Sequence, residues 1–266
     1  MNNLVIICAI LLLVLLFLKV PVYIAVLSAS AVYFIGTPGM NLSIFAQKTI
    51  SGAEGLSLLA IPFFVCAGIF MNYTGVTKRI MNCCEVLTAR MPGGLAQVNI
   101  LLSTLMGGLS GSSLADAAMQ CKMLVPTMES KGYSKSFSTV ITAASGMVVP
   151  LIPPGVGLII YGCINNISIG KLFIAGIGPG IVLCVTLMIF THFLSKKRGY
   201  LPSRTTKIPV SEKIAAVRPA FLPLLLPIII IGGVRIGVFT ASEAGTVAIV
   251  YAVLLGLLYN CLLYTS

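Results

Sequence analysis

The sequence predicts an all-α polytopic membrane protein in which a re-entrant helical hairpin faces a broken transmembrane helix. Three observations lead there. First, 58% of the residues are apolar and only 9% are charged, against roughly 25% charged in soluble domains. There are too few polar side chains to cover a water-facing surface. Second, the apolar residues come in long runs set apart by short basic segments. Third, two runs within residues 107–157 are interrupted. One break is Gly107-Gly108-Leu109-Ser110-Gly111-Ser112-Ser113, and the other passes from Ser145-Gly146 through Pro150 to Pro153-Pro154-Gly155. Unpaired backbone groups are costly in lipid, so broken helices persist only inside protein or beside a water-filled cavity. Paired interruptions of this kind point to a transporter's binding site.

The elements follow in order. Residues 4–18 are an apolar run, short of the about 20 residues that a span needs. No basic segment precedes them and a second apolar run follows, so they read as a membrane helix rather than a cleavable leader. Lys19-Val20-Pro21 breaks the run, and Pro21 suits the first turn of a helix that reaches about residue 35. Thr37-Pro38-Gly39 stops it. Residues 40–55 are mixed and read as a loop or interfacial segment. Residues 56–73 are a third span, with Pro62 in its first third. Residues 77–90 alternate basic and apolar positions as an amphipathic helix lying at the interface.

Residues 95–107 and 114–128 are each too short to cross comfortably. Together they form the hairpin, 94–131, with its ends on one side of the membrane and its tip near the middle. The broken helix occupies 135–165. Residues 169–195 span again, and Lys196-Lys197-Arg198 ends them. Residues 196–218 form a basic loop with an amphipathic piece near 210–217, followed by a span over 220–231. Thr240 with Glu243 three residues on reads as a capping box opening a last helix to about 258. In domain terms, 1–93 hold scaffold helices and the interfacial helix, 94–168 the transport part, and 169–266 further membrane helices.

The net charge is +11. In a soluble chain that would raise nucleic acid as a partner. Here the basic residues sit in loops between apolar runs, where they set topology and meet lipid headgroups. With both hairpin ends cytoplasmic, thirteen basic residues lie on that side and three, Lys48, Lys171 and Arg235, on the other. A single crossing by 95–128 would put the 196–218 loop opposite Lys78 and Arg79. The eight cysteines show neither disulfide nor metal spacing. His192, the sole histidine, lacks acidic or cysteine companions, and no His and Asp accompany the serines in a hydrolase register.

At the hairpin tip Ser110, Ser112 and Ser113 offer hydroxyl oxygens, and helix ends leave carbonyls free on one arm and N–H groups on the other. Such oxygens suit a hard monovalent cation, and the start of the second arm suits an anion. A tight turn of small residues packed for space fits the same residues equally well. Asp116, the acid near the tip, is expected to cap the second arm through backbone N–H groups and so support the site. The alternative is a charged carboxylate beside a cation. Lys122 on that arm snorkels to water.

GLSGSSLADA at 108–117, TAASGMVVPLIPPG at 142–155 and LIIYG at 158–162 resemble the large membrane subunit, DctM type, of the tripartite ATP-independent periplasmic (TRAP) transporters. LLAIPFFVCAGIFMNYTGV at 58–76 and GVFTASEAGTVAIVYA at 237–252 are similar to that family too. The resemblance implies the first inverted repeat of an elevator-type fold of the ion transporter superfamily. It implies no enzyme. It implies Na+ as coupling ion, held by Ser110, Ser112 and Ser113 with carbonyls of Gly146 and Val149, and Ser113, Thr142, Ser145, Pro153 and Pro154 near the substrate. The family often has serine where Gly155 stands and proline at Gly157, so any contact from position 155 must come from backbone.

The resemblance further implies uptake of a C4-dicarboxylate, sialic acid or similar carboxylate across the bacterial inner membrane. The substrate would be delivered by a periplasmic binding protein (DctP type), with a small four-helix membrane subunit (DctQ type) as companion. Family members are longer and hold two repeats, so the expectation is a chain truncated at its C-terminus. A single-component sodium-coupled anion or carboxylate permease of the same superfold is the alternative. A membrane enzyme is disfavoured by the lack of clustered acids or metal ligands. A passive channel, the remaining reading, would show flux that neither saturates nor follows a sodium gradient.

Overall fold

The computed structural model describes residues 2–202, 204 and 208–259, and among these it is helical throughout, with twelve α-helices and two short 3-10 helices. The chain divides into two compact units, Met1–Gly55 and Leu56–Ser266. In the first unit α1 (Asn2–Phe17) and α2 (Val22–Gly36) form an antiparallel pair around Lys19, which adopts φ 60° at the turn. A methyl group placed on Gly36 would lie 2.7 Å from Leu4 Cδ1, so the end of α2 meets the start of α1. Residues 40–55 are not a loop: α3 (Leu42–Ala53) is a helix against α2, with the Phe34 and Phe45 rings 5.7 Å apart.

The second unit starts with a 3-10 turn at Leu56–Leu59 that feeds α4 (Ala60–Tyr73). Then come α5 (Val76–Thr88), the hairpin arms α6 (Gly94–Ser110) and α7 (Ser113–Ser130), and α8 (Lys135–Gly146). A 3-10 turn at Val149–Leu151 leads to α9 (Val156–Asn165), followed by α10 (Ile169–Lys197), α11 (Val210–Ile236) and α12 (Ala241–Leu258). Four helices among the described residues are long and apolar enough to cross a membrane: Leu56–Tyr73, Ile169–Lys197, Val210–Ile236 and Ala241–Leu258. The pair Lys135–Leu151 and Val156–Asn165 makes a fifth candidate, bent by 41°.

Three differences from the sequence reading have physical causes. The first break is narrower than its glycines suggest: Gly107 to Ser110 continue α6, and only Gly111 and Ser112 leave helical geometry. The span expected over 220–231 and the amphipathic piece before it are one helix, α11, despite Pro219, Pro223 and Pro227 inside it. The amphipathic segment is helical as expected, but its apolar side (Val76, Ile80, Cys83 and Cys84) is buried in the protein core, packed toward α6 and α11.

Small residues let helices approach where lipid supplies no hydrophobic drive. Along α12, Ala244, Ala248 and Ala252 recur every four residues and meet Ala60, Phe64, Ala67 and Met71 of α4. A second core of Leu95, Ile100, Met128, Phe137, Ile141 and Val148 holds the base of the hairpin to α8.

Candidate functional site

The two breaks meet. Gly111 ends α6 in the left-handed region (φ 61°), its N–H donating to the Gly107 carbonyl at 3.1 Å. Its own carbonyl accepts a 3.3 Å hydrogen bond from Val156 N–H, the first residue of α9. A side chain at 111 is excluded twice, because glycine tolerates this φ and because a Cβ would run into the Pro154 carbonyl oxygen. One turn earlier, a methyl group at Gly107 would lie 3.1 Å from Val149 Cα, so α6 rests directly on the 3-10 turn of the second break. On the other arm, Gly146 faces Ser113: a methyl there would be 3.6 Å from the Ser113 carbonyl oxygen and from Ala117 Cβ.

The expected residues are thereby placed around one junction. Ser110 is buried and donates to the Met106 carbonyl at 3.2 Å, while Gly68 of α4 presses on its backbone. Ser112 and Ser113 are half-buried, and Gly146, Val149, Pro153 and Pro154 are buried. The Ser112 hydroxyl caps α7, accepting from Ala115 N–H at 3.5 Å. That changes the expected role of Asp116. A cap must sit before the first helical residue, whereas Asp116 lies inside the first turn of α7 and turns toward α6. Its Oδ2 accepts from Ser103 Oγ at 2.7 Å and from Gln120 Nε2 at 2.8 Å. Asp116 therefore ties the two arms together. Its Oδ1 and Gln120 Oε1 are buried with no partner among the described residues.

Thr142 and Ser145, expected next to the substrate, are fully buried, and their hydroxyls are engaged by Asn99 of α6. Asn99, Ser103 and Gln120 carried no role in the sequence reading. The signal was present in the spacing: Asn99, Ser103 and Ser110 recur at four and seven residues, one face of an otherwise apolar arm.

The donors at the junction are hydroxyl and backbone oxygens, the ligand class of hard cations. The N-terminal end of α7 opens onto the same place and favours negative charge. An oxygen cradle beside a helix N-terminus can hold a cation and an anion side by side.

The family described as the DctM component of the tripartite ATP-independent periplasmic transporter matches residues 9–265. The sialic acid TRAP transporter large permease protein SiaM of Vibrio cholerae is 41% identical over 249 residues, which cover 93% of this chain and 58% of that protein. The 2,3-diketo-L-gulonate TRAP transporter large permease protein YiaN of Escherichia coli is 41% identical over 87% of this chain and 54% of its own length. The ectoine TRAP transporter large permease protein TeaC of Halomonas elongata is 37% identical, covering 91% and 56%. The chain thus spans little more than half the length of these relatives, which are transporter permeases and not enzymes. Matched over nearly all of its residues, the chain belongs to the DctM family of TRAP transporter large permeases, multi-pass proteins of the membrane.

Proposed function

We propose that this chain acts as the membrane subunit of a sodium-coupled secondary transporter that takes up an organic acid across the bacterial inner membrane. The meeting of the two breaks carries this reading: Gly111 bonded to Val156, Gly107 against Val149 and Ser113 beside Gly146. Ser110, Ser112 and Ser113, with the carbonyls of Gly146 and Val149, would hold the ion, and the donor set fits a hard monovalent cation. Sodium supplies the driving gradient and a local positive charge for the acid. Ser113, Pro153 and Pro154 lie nearest the place where substrate would sit, while Thr142 and Ser145 stand behind them.

The relatives' names span sialic acid, 2,3-diketo-L-gulonate and ectoine, and the substrate class here is a carboxylate. A periplasmic binding protein delivers it and a small membrane subunit braces the scaffold. The hairpin and broken helix move together as the carrying unit of an elevator. The test is uptake of labelled carboxylates by proteoliposomes holding the transporter that contains this chain. Ser112→Leu with Ser113→Leu should abolish the sodium-dependent component. Uptake unchanged in that double variant overturns the ion site.

A further inference from the structure

The side chain that fixes the second wall of the junction lies outside it. Asn99 stands in the middle of α6, is fully buried, and reaches across to the last turn of α8. Its Nδ2 donates to Thr142 Oγ1 at 2.8 Å, and its Oδ1 accepts from Ser145 Oγ at 2.6 Å. The orientation of the amide follows from its neighbours. Thr142 spends its only hydroxyl proton on the Ser138 carbonyl at 2.9 Å, so it can only accept from Asn99. The amide must present nitrogen to Thr142 and oxygen to Ser145. The single Ser145 proton has a second acceptor, the Thr142 carbonyl at 3.0 Å, and the shorter contact is with Asn99.

Thr142 and Ser145 are three residues apart, one face of a helix, and Ser145 directly precedes Gly146. Two hydrogen bonds from one planar amide set both the rotation and the height of this turn. Eight residues further along α6, about 12 Å away, Gly107 contacts Val149. The first arm therefore holds the second break at two points, one on each side of Gly146 to Val148.

We infer that Asn99 is a positioning residue for the ion: it touches neither ion nor substrate, and it sets where the Gly146 and Val149 carbonyls stand relative to the hairpin tip. This inference rests on the proposed sodium site. A nonpolar brace in the same place would pack the helices without fixing the turn. The prediction therefore concerns the ion's affinity and not only the amount of folded protein.

The experiment measures initial uptake rates by the reconstituted transporter containing this chain. Sodium is varied at saturating carboxylate, and carboxylate at saturating sodium. The proteins are the parent, Asn99→Leu, Ser145→Ala and the double variant. Interhelical hydrogen bonds in membranes are individually modest, so the half-saturating sodium concentration should rise roughly three- to tenfold in each single variant. The double variant should be no worse than the stronger single, because both remove one shared bond. The carboxylate KM at saturating sodium should stay near the parent value.

A lower maximal rate with unmoved half-saturating sodium marks Asn99 as a plain brace and overturns the inference. If Asn99→Leu does not fold, the smaller Ser145→Ala change decides on the same readout. A parent transporter indifferent to sodium overturns the proposed ion coupling and this inference with it. That result is told apart by the parent's own curve.

Discussion

Three prolines lie in α11, at 219, 223 and 227, and three lie between α8 and α9, at 150, 153 and 154, yet only the second set interrupts its helix. Each proline lacks an N–H and strips the carbonyl four residues earlier of its partner. In α11 the prolines are themselves four apart, so the damage stays on one face, where a neighbour can repair it. The Pro219 carbonyl, left without a donor by Pro223, accepts the Tyr259 hydroxyl at 3.0 Å. The Tyr251 hydroxyl adds a 2.7 Å bond to the Leu222 carbonyl, which no proline has orphaned. Arg79 of α5 lies over the Tyr259 ring, 3.8 Å from its centre, and holds it there. In the break, Pro153 and Pro154 are adjacent. A residue before proline is pushed to extended geometry, and Ile152, which precedes Pro153, is extended (ψ 123°). Here the repair comes from another backbone, Gly111 bonded to Val156. Spacing decides whether prolines bend a membrane helix or open it, and an opened helix needs a second opened helix beside it.

That contrast can be broken at three places. The largest effect is expected at Gly111→Ala, which meets both the left-handed φ and the Pro154 carbonyl. Strain and clash together should cost on the order of 3 kcal/mol, seen as a lower melting temperature in detergent and loss of most uptake. Unaltered melting would show that the two breaks are not held in contact. Asp116→Ala comes next. It strands the Ser103 hydroxyl between the arms, while Gln120 keeps its bond to Ser103, and should destabilise by about 1–3 kcal/mol; the Ser112 cap keeps α7 intact. Helical content by circular dichroism should therefore hold while the melting point falls.

The smallest effect sharpens the α11 side of the comparison. Tyr259→Phe should cost about 1 kcal/mol by leaving the Pro219 carbonyl unpaired. In a Pro223→Ala background the restored N–H replaces the tyrosine, and the same change should cost close to nothing. Equal costs in both backgrounds would separate Tyr259 from the proline repair.

Much of this was legible in the sequence. The hairpin, the broken helix and the Thr240–Glu243 capping box follow from local rules, and the box is present with both of its hydrogen bonds. What was not legible depended on neighbours. Nothing within 210–236 announces a continuous helix, since the tyrosine that pairs the carbonyl orphaned by Pro223 stands 40 residues away. Asp116 read as a cap because it opens a helix after serines, but the polar partners that claim it are Ser103 and Gln120, and Ser103 is on the other arm. Glycines 107 and 108 read as part of the break, although both serve close contact inside a continuing helix, Gly107 with Val149 and Gly108 with Pro227. Periodicity reports which face is buried; it does not report which side chain across the interface completes a hydrogen bond.

The tyrosine that completes α11 also fixes an order of events in synthesis. Pro219 leaves the ribosome 40 residues before Tyr259, an interval of about 2–8 s at about 5–20 residues per second. Throughout it, α11 has a carbonyl with no partner of its own. The missing donor arrives only with Tyr259, the residue that follows α12. The order of synthesis is thus the order of repair: the helix first, its missing donor last.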